Sequence, residues 1–291
     1  MLRRLDDLEG YPIEATDGAI GQVTDFLFDD ESWVVRYLVV QTGEWLSSRK
    51  VLISPIAIGQ PDWSYRTLRV PMTTDQVRNS PAVDTDKPVS RQYERGYCGY
   101  YGYYPYYWEN SGLWGAGNYP GSLHSSGANV GAGVEPHTVA EDRAHHEREV
   151  DQHRNDDPHL RSANAVRHYH IEASDGGIGH VQGLLLDEDT WAIQYLIVDT
   201  SNWWLGHKVL IAPQWIEGVS WSERTVSINL TRDAIKGSPP YDSGRTVHRD
   251  EETRLYHHYQ RPGYWADHVR LENPQFHIVE SASPEEGDRR G

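Results

Sequence analysis

The chain has 291 residues, with 27 Lys and Arg against 43 Asp and Glu, for a formal net charge of −16. That length suits two ordinary domains, and that charge disfavours nucleic acid and anionic membrane surfaces, which are bound through Lys and Arg. No run approaches the roughly 20 apolar residues of a membrane span, no apolar stretch follows Arg3-Arg4 as a secretory signal requires, and the single Cys98 can form no internal disulfide, so a cytoplasmic location is expected.

Taken in chain order, Tyr11–Thr16 reads as a first strand and Asp17-Gly18 as a hairpin turn. Ile20–Phe28 reads as a second strand, and Asp29-Asp30-Glu31 as a polar turn. Trp33–Thr42 is a third strand, rich in β-branched and aromatic residues. Gly43–Arg49 is a hairpin tip carrying Trp45. Lys50–Ile53 is a fourth strand that Pro55 interrupts, and Arg66–Pro71 the last. A short helix follows, with Thr73 as N-cap, Gln76 completing a capping box, and Pro81 as the stop. The third strand places Val34, Val35, Leu38, Val39 and Val40 on both of its faces. One face fills a small barrel, and the other needs a cover.

The chain then repeats itself. Asp17-Gly-Ala-Ile-Gly21 returns as Asp175-Gly-Gly-Ile-Gly179, at an offset of 158 residues. The same offset aligns Trp33 with Trp191, Trp45 with Trp203, Lys50–Ile53 with Lys208–Ile211, and Trp63 with Trp221. It reaches back to Leu2-Arg3 against Leu160-Arg161 and forward to Tyr106 against Tyr264. Thr231 keeps the helix cap, with Ala234 in place of Gln76. A gapless match of this length implies duplication of a whole domain. The expected divisions are a first barrel over 1–88, an aromatic strap over 89–108, and a flexible linker over 109–159. A second barrel then covers 160–246, a second strap 247–266, and a tail 267–291. The linker is Gly-rich and then charged and His-rich, without apolar periodicity. A short charged helix is expected within it, over 140–154.

These residues resemble the PRC-barrel family. The pattern appears as Gly10-Tyr11, Asp17–Val23, Asp29-Asp30, Tyr37–Val40 and Lys50–Pro55, and again as Tyr169, Asp175–Val181, Asp187-Glu188, Tyr195–Val198 and Lys208–Pro213. The resemblance implies an all-β fold with short helices: two tandem small barrels joined by a flexible linker. The family includes the cytoplasmic domain of the photosynthetic reaction centre H subunit and the barrel that ends the ribosome maturation factor. Both use the barrel as a binding surface. This chain lacks the membrane helix of the one and the N-terminal domain of the other.

Catalytic and metal sites are not expected, nor is a cofactor. Asp29-Asp30-Glu31 with Asp25 offers oxygen ligands for a divalent cation, but a solvated turn explains them as well, and Gly183 replaces Asp25 in the second copy. Of the 15 His, His145, His146, His153 and His159 fall in the linker. His168, His170, His180 and His207 have no His counterpart in the first copy. Cys98 has no basic cluster beside it to lower its pKa and reads as a packing residue. There is no nucleophile elbow, phosphate loop or dinucleotide fingerprint.

The chain has 18 Tyr and 11 Trp but only 3 Phe. Rings with a polar handle suit half-buried positions. The segment Tyr97–Trp108 is a strap over an exposed barrel face or an aromatic platform for a ligand, and the strap is favoured because strand three needs a cover. The two straps crossing between modules would lock an intramolecular pair. Partner-contacting candidates are Trp45, Trp203, Trp204, Tyr103, Tyr104, Tyr106, Trp108, Tyr264 and Trp265. The expected function is a non-enzymatic protein-binding scaffold that pairs its two barrels and is able to form homo-oligomers, with an unidentified protein as partner. The alternatives are a metal- or small-molecule-responsive stress protein and an accessory factor related to H-type barrels.

Overall fold

A computed structural model describes residues 1–58, 61, 63–81, 91–103, 159–200 and 207–265. The first half runs β1 (Leu2–Arg4), β2 (Pro12–Glu14), β3 (Ala19–Asp29), β4 (Val35–Thr42), β5 (Lys50–Ile53), helix α1 (Pro55–Ile58), β6 (Leu68–Arg69), α2 (Thr74–Arg78) and α3 (Arg91–Tyr101). The second runs β7 (Leu160–Ser162), α4 (Ala163–Val166), β8 (His170–Ala173), β9 (Gly176–Asp187), β10 (Ile193–Asp199), β11 (Lys208–Ile211), β12 (Ile216–Ser220), β13 (Thr225–Ile228), α5 (Arg232–Lys236) and α6 (Arg249–His258). Met1–Val247 form one compact unit, and a second begins at His248. The fold is mostly β with short helices, as the strand spacing predicts. No described helix is long and apolar enough to cross a membrane.

Two sheets carry the first unit. One is ordered β5-β4-β3-β2-β6, the other β11-β10-β9-β8-β13-β12. β2 and β6 are parallel, as are β8 and β13, and the other pairings are antiparallel. The predicted caps form. Thr73 accepts from the Gln76 amide while the Gln76 side chain accepts from the Thr73 amide, and Thr231 accepts from Ala234.

The join between the halves is made by strands that the sequence reading left unassigned. β1, from the first half, pairs with β9 of the second, Leu2 opposite Asp187 and Arg4 opposite Leu185. β7, from the second half, pairs with β3 of the first, Leu27 opposite Ser162 and Asp29 opposite Leu160. Each half thus lends its entering strand to the other's sheet. Charges repeat the exchange: Arg3 Nε donates to Glu188 at 2.7 Å, and Arg161 Nε to Asp30 at 2.8 Å. Within each half the same arginine also stands over a ring, Arg3 at 4.6 Å over Trp63 and Arg161 at 4.3 Å over Trp221.

An approximate twofold axis follows from these pairs. Val34 and Ala192, equivalent at the 158 offset, bridge each other. The Val35 amide donates to Trp191 O at 2.9 Å, and the Ile193 amide to Trp33 O at 2.7 Å. Trp33 (φ 55°) and Trp191 (φ 58°) hold the left-handed conformation on either side. For a bulky residue that costs about 1–3 kcal/mol, tolerated only where the surroundings fix it. Glu9 and Arg167, also equivalent positions, face each other as an ion pair.

Candidate protein-interaction surface

The second face of β4 is covered by part of the segment read as an aromatic strap, and that part is helical. In α3, Tyr97 and Cys98 are buried against Leu27, Tyr37, Val39, Leu52 and Leu160, with Tyr101 and Tyr103 packed beside them. The Tyr97 ring meets Tyr37 edge-on at 4.9 Å and Tyr101 at 4.8 Å. Its hydroxyl donates to Leu52 O at 3.2 Å and accepts from the Ser54 amide at 3.1 Å. Burial raises the Tyr97 phenol well above its usual range, and burial pushes the Cys98 thiol up to about 12 and Tyr101 up to about 12. A thiol so placed is a packing residue rather than a nucleophile. Tyr97→Phe removes a buried hydroxyl with two partners, so an equilibrium urea titration is expected to show a loss of about 1–2 kcal/mol.

The remaining aromatic candidates divide. Trp45 lies in a 3-10 turn, Glu44–Leu46, where its indole N–H donates to Ile20 O at 2.9 Å and Arg78 stands 5.7 Å over its ring. It is half-buried on its own module. Tyr103 packs with Tyr101 at 5.6 Å. Tyr104, Tyr106, Trp108, Trp203 and Trp204 lie outside the described residues, as does the charged helix expected over 140–154. In the second unit Tyr264 donates to Glu252 Oε1 at 2.8 Å, and Arg249 stands 4.4 Å over Trp265. Burial raises the Tyr264 phenol.

The acidic turn is a folding device. Asp29 Oδ1 accepts from the Ser32 amide and hydroxyl, both at 2.8 Å. Burial works against its charge, but the Ser32 bonds and Arg36 outweigh burial and hold Asp29 below the usual carboxylate range. Asp187 accepts from the Thr190 amide at 3.0 Å in the same way. Asp30 is engaged by Arg161, and no group of three or more His, Cys, Asp or Glu is placed to hold a metal among the described residues. His159, expected in the linker, is instead buried, its Nε2 2.7 Å from Oε2 of the fully buried Glu94.

Asp25, the other candidate ligand, faces the exchanged strand. Its Oδ2 accepts from Ser162 Oγ at 2.5 Å, and its Oδ1 from the Phe26 and Asn164 amides at 2.7 and 3.1 Å. Burial raises its pKa despite these bonds. A carboxyl raised on folding contributes stability below the usual carboxylate range and loses it as pH climbs through the raised value. Asn at this position keeps an Oδ1 acceptor for the two amides and presents a donor to Ser162. Asp25→Asn is therefore expected to gain stability relative to the parent as pH rises from about 4 to 7. Urea titrations at stepped pH check this, and a pH-independent difference refutes it.

Residues 2–61 match the family model of the PRC-barrel domain. That match runs from β1 through α1 and ends before β6. The matched segment therefore includes the strand that the first half lends to the second. Comparison with curated proteins finds no match. Sequence reasoning missed β1 and β7, although the Leu-Arg pair that recurs in them was visible.

Proposed function

We propose that this chain is a non-enzymatic protein-binding scaffold built from two tandem PRC-type barrels, acting in the cytoplasm on a protein partner and not on nucleic acid. The observation that carries this reading is the reciprocal exchange of β1 and β7, which fuses the two halves into one body. What agrees between the halves is the join. Candidate chemical groups are either held in structural bonds, as Asp25, Asp29 and Cys98 are, or replaced in the other half, as Asp25 is by Gly183.

The test is capture by the intact chain at about 150 mM salt, where long-range attraction is screened, followed by identification of retained proteins. The variant Arg3→Glu/Arg161→Glu opposes like charges at both ends of the join. A specific protein retained by the parent and lost from this variant supports the composite scaffold. No specific retained protein, or turnover of a metabolite panel by the purified chain, overturns it.

A further inference from the structure

β12 ends its sheet. It pairs with β13 on one side, and none of Glu217–Ser220 makes a main-chain hydrogen bond on the other side among the described residues. An unpaired strand edge is a template for another strand. Beside it opens a cleft of ≈ 550 Å³, closed opposite by the β3–β4 turn of the first half. Its lining includes three carboxylates (Asp30, Glu31 and Glu217), two indoles (Trp33 and Trp221), and no Lys or Arg. Asp30 is engaged by Arg161, while exposed Glu31 and Glu217 have no ion-pair partner among the described residues. Glu217 sits at the bulge between Ile216 and Gly218, a feature that re-aims a side chain at a strand edge.

The first half cannot offer the same edge. Val219 corresponds to Pro61, which has no amide hydrogen to give a strand. We propose that the β12 edge takes one extended, basic segment of a partner protein as an added strand, its Lys or Arg set against Glu31 and Glu217. This rests on the scaffold reading. Charge selects the occupant: at −16 a second copy of this chain is repelled from an acidic cleft, whereas a basic strand is drawn to it. Main-chain bonds supply affinity and alternate side chains supply selectivity.

The test uses the full chain and the capped heptapeptide Val-Lys-Val-Lys-Val-Lys-Val, titrated calorimetrically at about 150 mM salt. One peptide is expected per chain, with no binding of the version in which Glu replaces Lys. Glu31→Lys/Glu217→Lys is expected to weaken binding at least tenfold. Glu172→Lys/Asp233→Lys, exposed positions that make the same charge change outside the lining, is expected to bind as the parent does. Methylating alternate peptide amides on the strand-pairing side is expected to abolish binding. Equal weakening by both double variants, or full affinity for the methylated peptide, overturns the proposal. A protein partner captured equally by the parent and Glu31→Lys/Glu217→Lys overturns the cleft while leaving the scaffold standing. Loss of all specific capture by the parent overturns the scaffold itself.

Discussion

Shortening the chain by residues 1–5 is expected to destabilise the second half's sheet, more than 150 residues away in sequence, by at least about 3 kcal/mol. β1 supplies the partner for Leu185–Asp187 of β9, and the Leu5 amide donates to Leu184 O at 3.0 Å. Leu2 and Leu5 are buried, Leu5 almost completely at 1% exposure. Losing a buried Leu alone costs about 2–5 kcal/mol. The shortened chain also loses the Arg3–Glu188 ion pair and leaves main-chain groups of β9 unpaired. Amide hydrogen exchange resolves the effect by residue. Protection at Leu184–Asp187 is expected to fall before that of β4 and β5. Unchanged protection there, or loss confined to the first half's sheet, contradicts the strand exchange.

Gly21→Ala and Gly179→Ala are each expected to cost on the order of 3 kcal/mol or more, enough to leave a marginal chain largely unfolded at 37 °C. A Cβ at Gly21 would lie 2.0 Å from Gln41 O, and one at Gly179 only 1.9 Å from Asp199 O. Both obstacles are main-chain atoms of the neighbouring strand, so no rotamer change relieves them. Gly179 adds φ +151°, which an L side chain rarely adopts. The neighbouring Gly177 offers an internal control. A Cβ there meets nothing within 4 Å, so Gly177→Ala is expected to stay within about 0.5 kcal/mol of the parent. Thermal unfolding of the three variants checks the order. Equal midpoints for Gly177→Ala and Gly179→Ala refute the steric argument.

These two cases mark what local pattern conveys. Asp17–Gly21 is readable as a turn and strand because glycine and β-branching act within a few residues. The reason for the second glycine lies across the sheet, at Gln41, and becomes visible only with the register. β1 and β7 are three residues long, too short for a period of two to declare itself, and each pairs with a strand of the opposite half. The aromatic cover of β4 was legible from the two-faced apolar pattern of Val34–Val40. Its helical form was less so, because Gly96, Gly99 and Gly102 obscure the i, i+4 spacing of Tyr97 and Tyr101. His159 follows Asn155-Asp-Asp-Pro158 and so resembles linker, and its burial depends on Glu94, which no local pattern links to it. The β12 edge escaped notice because the repeat draws attention to what the halves share, whereas this edge exists where they differ, at Pro61 and Val219.

The ion pair between Glu9 and Arg167 shows what fusion into one chain permits. The two positions are equivalent, so a homodimer of the first half would set Glu9 against Glu9, and one of the second half Arg167 against Arg167. Both arrangements place like charges in contact, which disfavours association. Only the mixed arrangement brings opposite charges together. Once the two copies shared a chain, a residue beside the axis no longer had to be compatible with itself. Each half thereby carries a charge that matches its sibling and not its own twin.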